Sequence, residues 1–177
     1  TNSIENYNLN LTTGWLASLN TAVAAETGPC SIEIDPAGKF AYVTNNSSNN
    51  VSVYKINTQS GGLSSVGAVP TGVNPDSIAI DPSGKFAYVA NNGSDTISAY
   101  AIDPASGALA SIGLPVKTQV KPTSITVDPS GKYVYVGNFG SHSISAYIIN
   151  PLTGELDANA PPHYPGTLGP VSLAITP

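Results

Sequence analysis

Three aspartate–lysine pairs stand at equal spacing: Asp35 and Lys39, Asp81 and Lys85, Asp128 and Lys132. A carboxylate close to an ammonium is a combination that acid–base chemistry uses. Each pair, however, sits in the same five residues, Asp-Pro-(Ala/Ser)-Gly-Lys. The Pro fixes φ at the second position of a tight turn, and the Gly supplies a positive φ. The Asp accepts from backbone N–H groups two residues on. The three carboxylates therefore hold hairpin turns, and the lysines that open the next strand face solvent.

The other groups with chemical potential are few. Cys30 is the only cysteine, so no intrachain disulfide and no cysteine-based metal site can form. It follows Pro29 just before an apolar strand and is expected as a buried structural thiol. His142 and His163 are the two histidines, too few for a zinc site without carboxylate help. His163 lies in Pro161-Pro-His-Tyr-Pro165 and reads as an exposed loop residue. His142 closes the segment Asn138-Phe-Gly-Ser-His142, whose counterpart one repeat earlier carries Asp95. Together Asn92, Asp95, Asn138, Phe139 and His142 form the expected ligand surface, suited to a carbohydrate, with Phe139 as an apolar platform. No catalytic residue, cofactor site or metal site is assigned. No phosphate-binding glycine loop, nucleophile elbow or metal motif is present in the sequence.

Composition narrows the classes further. Charged residues make up 10% of the 177 residues, against roughly 25% in typical domains. Apolar residues still reach 41%, enough for a core. Ser, Thr, Asn and Gly replace charge as the source of solvation, a pattern of secreted or cell-surface proteins. All six basic residues are Lys and the net charge is −5, so no nucleic-acid partner is expected. The absence of Arg also removes bidentate phosphate clamps. No apolar run approaches ~18 residues, so no membrane span is expected. The sequence has no Met, which suggests a processed form or a fragment. Four Asn-Xaa-Ser/Thr sequons, at Asn10, Asn46, Asn50 and Asn92, are opportunities for glycosylation only.

What must position these residues is a repeat. Pro29, Pro75, Pro122 and Pro170 are 46, 47 and 48 residues apart, and each is followed two residues on by Ser31, Ser77, Ser124 or Ser172. A Gly-Xaa-Leu marker at Gly14, Gly61, Gly107 and Gly154 keeps the same period, with steps of 47, 46 and 47. Each repeat reads as four short strands. The first alternates (Ile32 and Ile34, Ile78 and Ile80, Ile125 and Val127). The second is apolar on both faces (Phe40–Val43, Phe86–Val89, Tyr133–Val136), as a strand sandwiched between sheets should be. The third is Val51–Tyr54, Ile97–Tyr100 and Ile144–Tyr147, and the fourth is Leu63–Val66, Leu109–Ile112 and a weaker one near Leu156. Asn57–Gly61 and Asp103–Gly107 close the second hairpin. Such a unit is a β-propeller blade: one blade cannot bury both faces of its sheet, and stacked neighbours do. In that geometry the loops after strands two and four lie on one face.

The stretch Tyr42-Val-Thr-Asn45 resembles the YVTN propeller repeats of microbial surface-layer proteins. The longer run Asp81–Asn92, with Ile97-Ser-Ala-Tyr100 and Ser106–Leu109, is similar to the seven-bladed lactonase family related to 6-phosphogluconolactonase. The resemblance spans nearly the whole chain and implies a propeller fold. It implies lactone hydrolysis only if Arg, His and acidic residues gather on ring loops, and no such set maps onto this sequence residue by residue.

The expected fold is thus all-β, a propeller of four-stranded antiparallel blades, with about 3.8 blades in the chain. Residues 1–28 give the outer half of a blade, with Ile4–Leu9 and Leu16–Val23 as its strands. Residues 29–74, 75–121 and 122–169 give three blades, and 170–177 the first strand of a next one. A fragment of a larger ring, two chains sharing an eight-bladed ring, and four-bladed closure all fit this count. Self-association through the complementary half-blades is the expected partner behaviour. The functional expectation is a secreted or surface module with a structural, self-assembling or ligand-binding role and no catalysis. The alternative is a lactonase-like hydrolase acting on a sugar lactone.

Overall fold

The computed structural model describes residues 2–19, 22–157, 164–166 and 168–175. Every regular element in these residues is a strand, and every pairing is antiparallel. A half-blade comes first: β1 (Ser3–Ile4), β2 (Tyr7–Leu9), β3 (Leu16–Ser18) and β4 (Val23–Ala24), with β1 paired to β4 and β2 to β3. The first blade is β5 (Pro29–Ile34), β6 (Phe40–Asn45), β7 (Asn50–Ile56) and β8 (Leu63–Pro70), paired in that order. The second is β9 (Pro75–Ile80), β10 (Phe86–Asn91) and β11 (Thr96–Ile102), its outer strand divided into β12 (Leu109–Ser111) and β13 (Val116–Lys117). The third is β14 (Pro122–Val127), β15 (Tyr133–Asn138) and β16 (Ser143–Ile149), its outer strand again divided into β17 (Leu156–Asp157) and β18 (Tyr164–Pro165). This is a partial β-propeller.

Some strands differ from the sequence expectation. The two half-blade strands are each divided, into β1 with β2 and β3 with β4; between them Leu19 N–H still donates to the Asn6 carbonyl (3.0 Å), while Asn6 Nδ2 donates to the Gly61 carbonyl (3.1 Å). The outer strand of the first blade runs on to Pro70 through a bulge opposite Val53 and Tyr54. Residues 170–175, read as an inner strand, are not in a ladder. In each blade the inner strand pairs only with the second strand, and this segment has none beside it. It lies against β14 instead, where the Leu173 N–H donates to Ser124 Oγ (3.0 Å) and Thr123 Oγ1 to the Pro170 carbonyl (2.9 Å).

The turns behave as their residues require. Asp35, Asp81 and Asp128 each accept two backbone N–H groups on Oδ1, at 2.6–2.8 Å, from the Lys and the aromatic residue that open the second strand. Lys39, Lys85 and Lys132 are exposed. The outer hairpins repeat the device: Asn10, Asn57, Asp103 and Asn150 each accept two backbone N–H groups on Oδ1.

The core consists of the faces between blades. Phe40, Tyr42, Val51 and Val53 of the first blade meet Val89, Tyr100, Ile102 and Leu109 of the second. Phe86, Tyr88 and Ile97 of the second meet Val136, Tyr147, Ile149 and Leu156 of the third. Burial of apolar area drives this stacking, and hydrogen bonds set its register. Tyr42 Oη donates to the Gly107 carbonyl (3.0 Å) and Tyr88 Oη to the Gly154 carbonyl (2.9 Å). In the opposite direction, Tyr54, Tyr100 and Tyr147 donate to the carbonyls of Ala24, Pro70 and Lys117 on the preceding outer strand. The recurring Ser ties inner strands together around the axis, since Ser77 Oγ accepts from Ile125 N–H at 3.3 Å. No sheet covers the free side of β5, and Ile32 and Ile34 are 50% and 52% exposed.

Candidate active site

The loops after the second strands are set by one buried residue each. Asn45, Asn91 and Asn138 are wholly buried, and each Nδ2 donates to a hydroxyl on the third strand: Ser52, Ser98 and Ser145, all at 2.9 Å. Asn91 Oδ1 accepts from Gly72 N–H (3.2 Å) and Asn138 Oδ1 from Thr118 Oγ1 (2.9 Å). Asn45 Oδ1 has no hydrogen-bond partner among the described residues. The Asn of Tyr-Val-Thr-Asn is thus an internal strut. Asn138, placed on the ligand surface by the sequence, is enclosed in the blade.

Two other members of that set also shape loops. Asn49, Asp95 and His142 occupy one position in successive blades, with φ of 54°, 54° and 51°. Asn49 Oδ1 accepts from Asn74 N–H (2.7 Å) and Asp95 Oδ1 from Lys121 N–H (2.8 Å), each anchoring the link to the next blade. The carbonyls of all three accept from the N–H of the residue that follows the outer strand, Thr71, Thr118 and Gly166. Asp95 and His142 therefore lie in separate loops, and no hydrogen bond joins them among the described residues. The His142 ring lies instead beside Phe139, with centroids 6.5 Å apart, and both are exposed. His163 falls outside the described residues.

The structure gathers a different group where the inner strands begin. The residue after each repeat proline lines this end of the axis: Cys30, Asp76 and Thr123. Asp76 Oδ1 accepts from Asn46 Nδ2 at 2.7 Å. Asn92 also hydrogen-bonds the Asp76 carboxylate, and its Nδ2 reaches the Pro122 carbonyl at 3.3 Å. Asn46 is steadied in turn by Asn74 Nδ2, which donates to Asn46 Oδ1 (3.1 Å) and its carbonyl (3.2 Å). Asp76 is half-buried. That burial pushes its carboxyl above the ordinary value, against the opposing pull of the Asn46 and Asn92 amides.

Cys30 differs from expectation. It is exposed as a residue. Its thiol is nonetheless engaged, with Sγ 3.2 Å from the Pro75 carbonyl and 3.3 Å from Thr44 Oγ1. Desolvation raises its pKa most, with Thr44 opposing and Asp76 adding to the rise, so it is a poor thiolate. Among the described residues no group of His, Cys, Asp and Glu is placed to hold a metal ion.

Of the expected ligand set, Asn92 and Phe139 hold equivalent positions in successive blades. With Asn46 they occupy the first position after the second strand. The residue that sequence reading missed is Asp76. Its signal lay in the register itself: aligned on the prolines, the series runs Cys30, Asp76, Thr123, Val171, with a single acid.

A partial ring of four-stranded antiparallel blades defines the chain as a β-propeller. It belongs to the family described as Lactonase, 7-bladed beta-propeller, whose sequence model matches residues 1–76 and 71–167. Among solved structures, a candidate 6-phosphogluconolactonase from Bacteroides uniformis is 26% identical with a TM-score of 0.81, over 88% of this chain and 47% of its own. A Lactobacillus plantarum protein (23% identity, TM-score 0.87, 97% of this chain and 52% of its own) shares the fold. So does the periplasmic gluconolactonase of Pseudomonas aeruginosa (21%, TM-score 0.81, 96% and 50%). The chain spans about half the length of these proteins. None of the curated proteins matches it.

The expectation of a module without catalysis is overturned by this family membership. It leaned on the absence of Arg. That absence bears on phosphate recognition, whereas opening a lactone needs only a water, a base and a polarised carbonyl.

Proposed function

We propose that this propeller hydrolyses an unphosphorylated sugar lactone, with Asp76 as the general base. The observation that carries the reading is the family match along most of the chain. The half-buried Asp76 carboxylate, held by two side-chain amides at the axis mouth, gives it a chemical centre. A general base works best when its pKa approaches the working pH, and desolvation moves Asp76 in that direction.

In the proposed reaction a water attacks the lactone carbonyl carbon and gives its proton to Asp76. The tetrahedral intermediate collapses, and the bond from the carbonyl carbon to the ring oxygen breaks. The ring oxygen takes the proton back from Asp76 and leaves as the new hydroxyl. The product is a hydroxy acid, and Asp76 returns to its starting state. Asn46 and Asn92 orient the carboxylate, and the exposed Phe139 ring offers an apolar face to the sugar. An uncharged substrate is favoured because the chain has no Arg and a net charge of −5. The low charge and the Ser/Asn-rich surface support secretion or a cell-surface location, which fractionation of the producing cells would check.

The test is a panel of sugar lactones, with and without a phosphate, followed by the acid released. Turnover of the unphosphorylated members is expected. Activity confined to phosphorylated lactones would overturn the substrate assignment, and no turnover on the panel would overturn the reading.

A further inference from the structure

The two amides on the Asp76 carboxylate are themselves held by one residue, Asn74, in the link between the first two complete blades. Asn74 has φ 51°. Its N–H donates to Asn49 Oδ1 (2.7 Å), and its carbonyl accepts from the Asn92 N–H (2.8 Å). Its Nδ2 donates to Asn46 Oδ1 (3.1 Å) and to the Asn46 carbonyl (3.2 Å). One residue thus reaches both loops that supply an amide, one through its backbone and the other through its side chain.

The backbone half of this arrangement is common to the blades, and the side-chain half is not. Gly28, Asn74 and Lys121 each precede a repeat proline, with φ of 74°, 51° and 52°. The carbonyl of each accepts from the first residue after the second strand, Asn46, Asn92 or Phe139, at 2.7–2.9 Å. Gly28 has no side chain, and Lys121 is exposed. Of the three, Asn74 alone carries an amide, two residues before the single acid of its series. The neighbouring loop leaves room for it. A Cβ at Gly93 would come 2.5 Å from Asn74 Oδ1, whereas opposite Gly28 the equivalent place is filled by Ser47.

An amide is a donor at one end and an acceptor at the other. Asn46 turns Nδ2 to Asp76, which leaves its Oδ1 for the Nδ2 of Asn74. Turned over, Asn46 would set its oxygen against the carboxylate and its amino group against that of Asn74. We propose that Asn74 is a positioning residue for Asp76, which fixes the Asn46 amide with its donor end on the carboxylate; this rests on Asp76 being the base proposed above. Asn74 acts through Asn46 and not on the substrate. Other titratable groups stand on the neighbouring elements. β5 brings the Cys30 thiol, its Sγ 3.7 Å from the Asp76 carbonyl and its own pKa raised by burial. The next link brings Lys121, which is exposed, and Asp95, which binds the Lys121 N–H (2.8 Å). Asp76 itself responds to burial first, and then to Asn46 and Asn92, so the hold on Asn46 is what a change at residue 74 alters.

Asn74→Gly tests this, because Gly28 shows that glycine keeps the positive φ and the carbonyl bond at this position. One readout is the Asp76 carboxyl titration by carbon-13 NMR, its resonance identified by its loss in Asp76→Asn. The other is kcat/KM for an unphosphorylated sugar lactone against pH. With the Asn46 donor no longer fixed, the Asp76 pKa is expected to rise, and the acid limb of kcat/KM to move up with it. On that limb kcat/KM is expected to fall about three- to tenfold, the worth of one hydrogen bond, with KM unchanged. Gly93→Ala, which crowds Asn74 Oδ1, is expected to shift both readouts the same way. Lys121→Gly, the equivalent change one blade on, is expected to shift neither. An inert wild type overturns Asp76 as the base, and this proposal with it. An Asp76 titration that Asn74→Gly leaves unmoved, or that Lys121→Gly moves equally, overturns the role of Asn74 alone.

Discussion

The carboxylates of this chain divide by how they are held. Asp103 is pulled below the ordinary range by backbone and hydroxyl hydrogen bonds from Ser106 and the N–H of Ala105. Asp128 meets a desolvation that would raise it, yet donors from Ser130, Tyr133 and Lys132 bring it below that range. A lowered folded pKa means stability that is present above the unfolded value of about 3.9 and lost as pH falls through the folded one. Asp76 has the opposite sign, since burial raises it. Its ionised form costs stability, and that cost enters as pH rises from about 3.9 through the raised value. Thermal melting against pH should therefore show Asp128→Asn less stable than the wild type at neutral pH, with that deficit vanishing in acid, and Asp76→Asn gaining stability at neutral pH. A second prediction concerns the orphaned Asn45 Oδ1. Ala25 stands where Thr118 donates to Asn138 in the third blade. Ala25→Thr should supply the missing donor and add about 0.5–1.5 kcal/mol in chemical denaturation.

At the scale of the element, the blades are joined by contacts far apart in sequence. Tyr88→Phe leaves the buried Gly154 carbonyl without its donor, which should lower stability by about 1–3 kcal/mol. Gly107→Ala forces a methyl into the Phe40 ring at a residue with φ 74°, at a cost of about 2–5 kcal/mol from overpacking and the left-handed backbone. Urea titration measures both. The strands and turns were legible because their signals are local: alternation in Ile78–Ile80, the Asx turn at Asp81, the glycine after it. The Tyr–Gly bonds were not, because each joins residues 65 or 66 apart. The same holds for the site. Asp76 looks locally like any polar residue after a proline, and its amides come from a loop 30 residues before and, for Asn92, from the loop after the second strand of its own blade. Asp95 and Asn138 misled for the converse reason: a polar loop reads as a ligand surface until the backbone N–H and hydroxyl groups that occupy it are placed.

At the scale of the whole molecule, the family and the fold agree, and the proposed chemistry rests on one carboxylate of an inner strand. The missing Arg turned the sequence reading away from catalysis. The group proposed as the base is a carboxylate raised by its burial in the fold, and composition cannot report burial. His142 and Asp95, in separate loops, are not its partners, so His142→Ala should leave lactone turnover intact while Asp76→Asn removes it. The most direct test is the hydrolysis rate of an unphosphorylated sugar lactone by the wild-type chain and by Asp76→Asn, followed by acid release at constant pH. The account predicts measurable wild-type turnover and a fall of about 10²–10⁴ in the variant, the contribution of a general base. Equal rates for the two proteins, or no wild-type turnover at all, would contradict it.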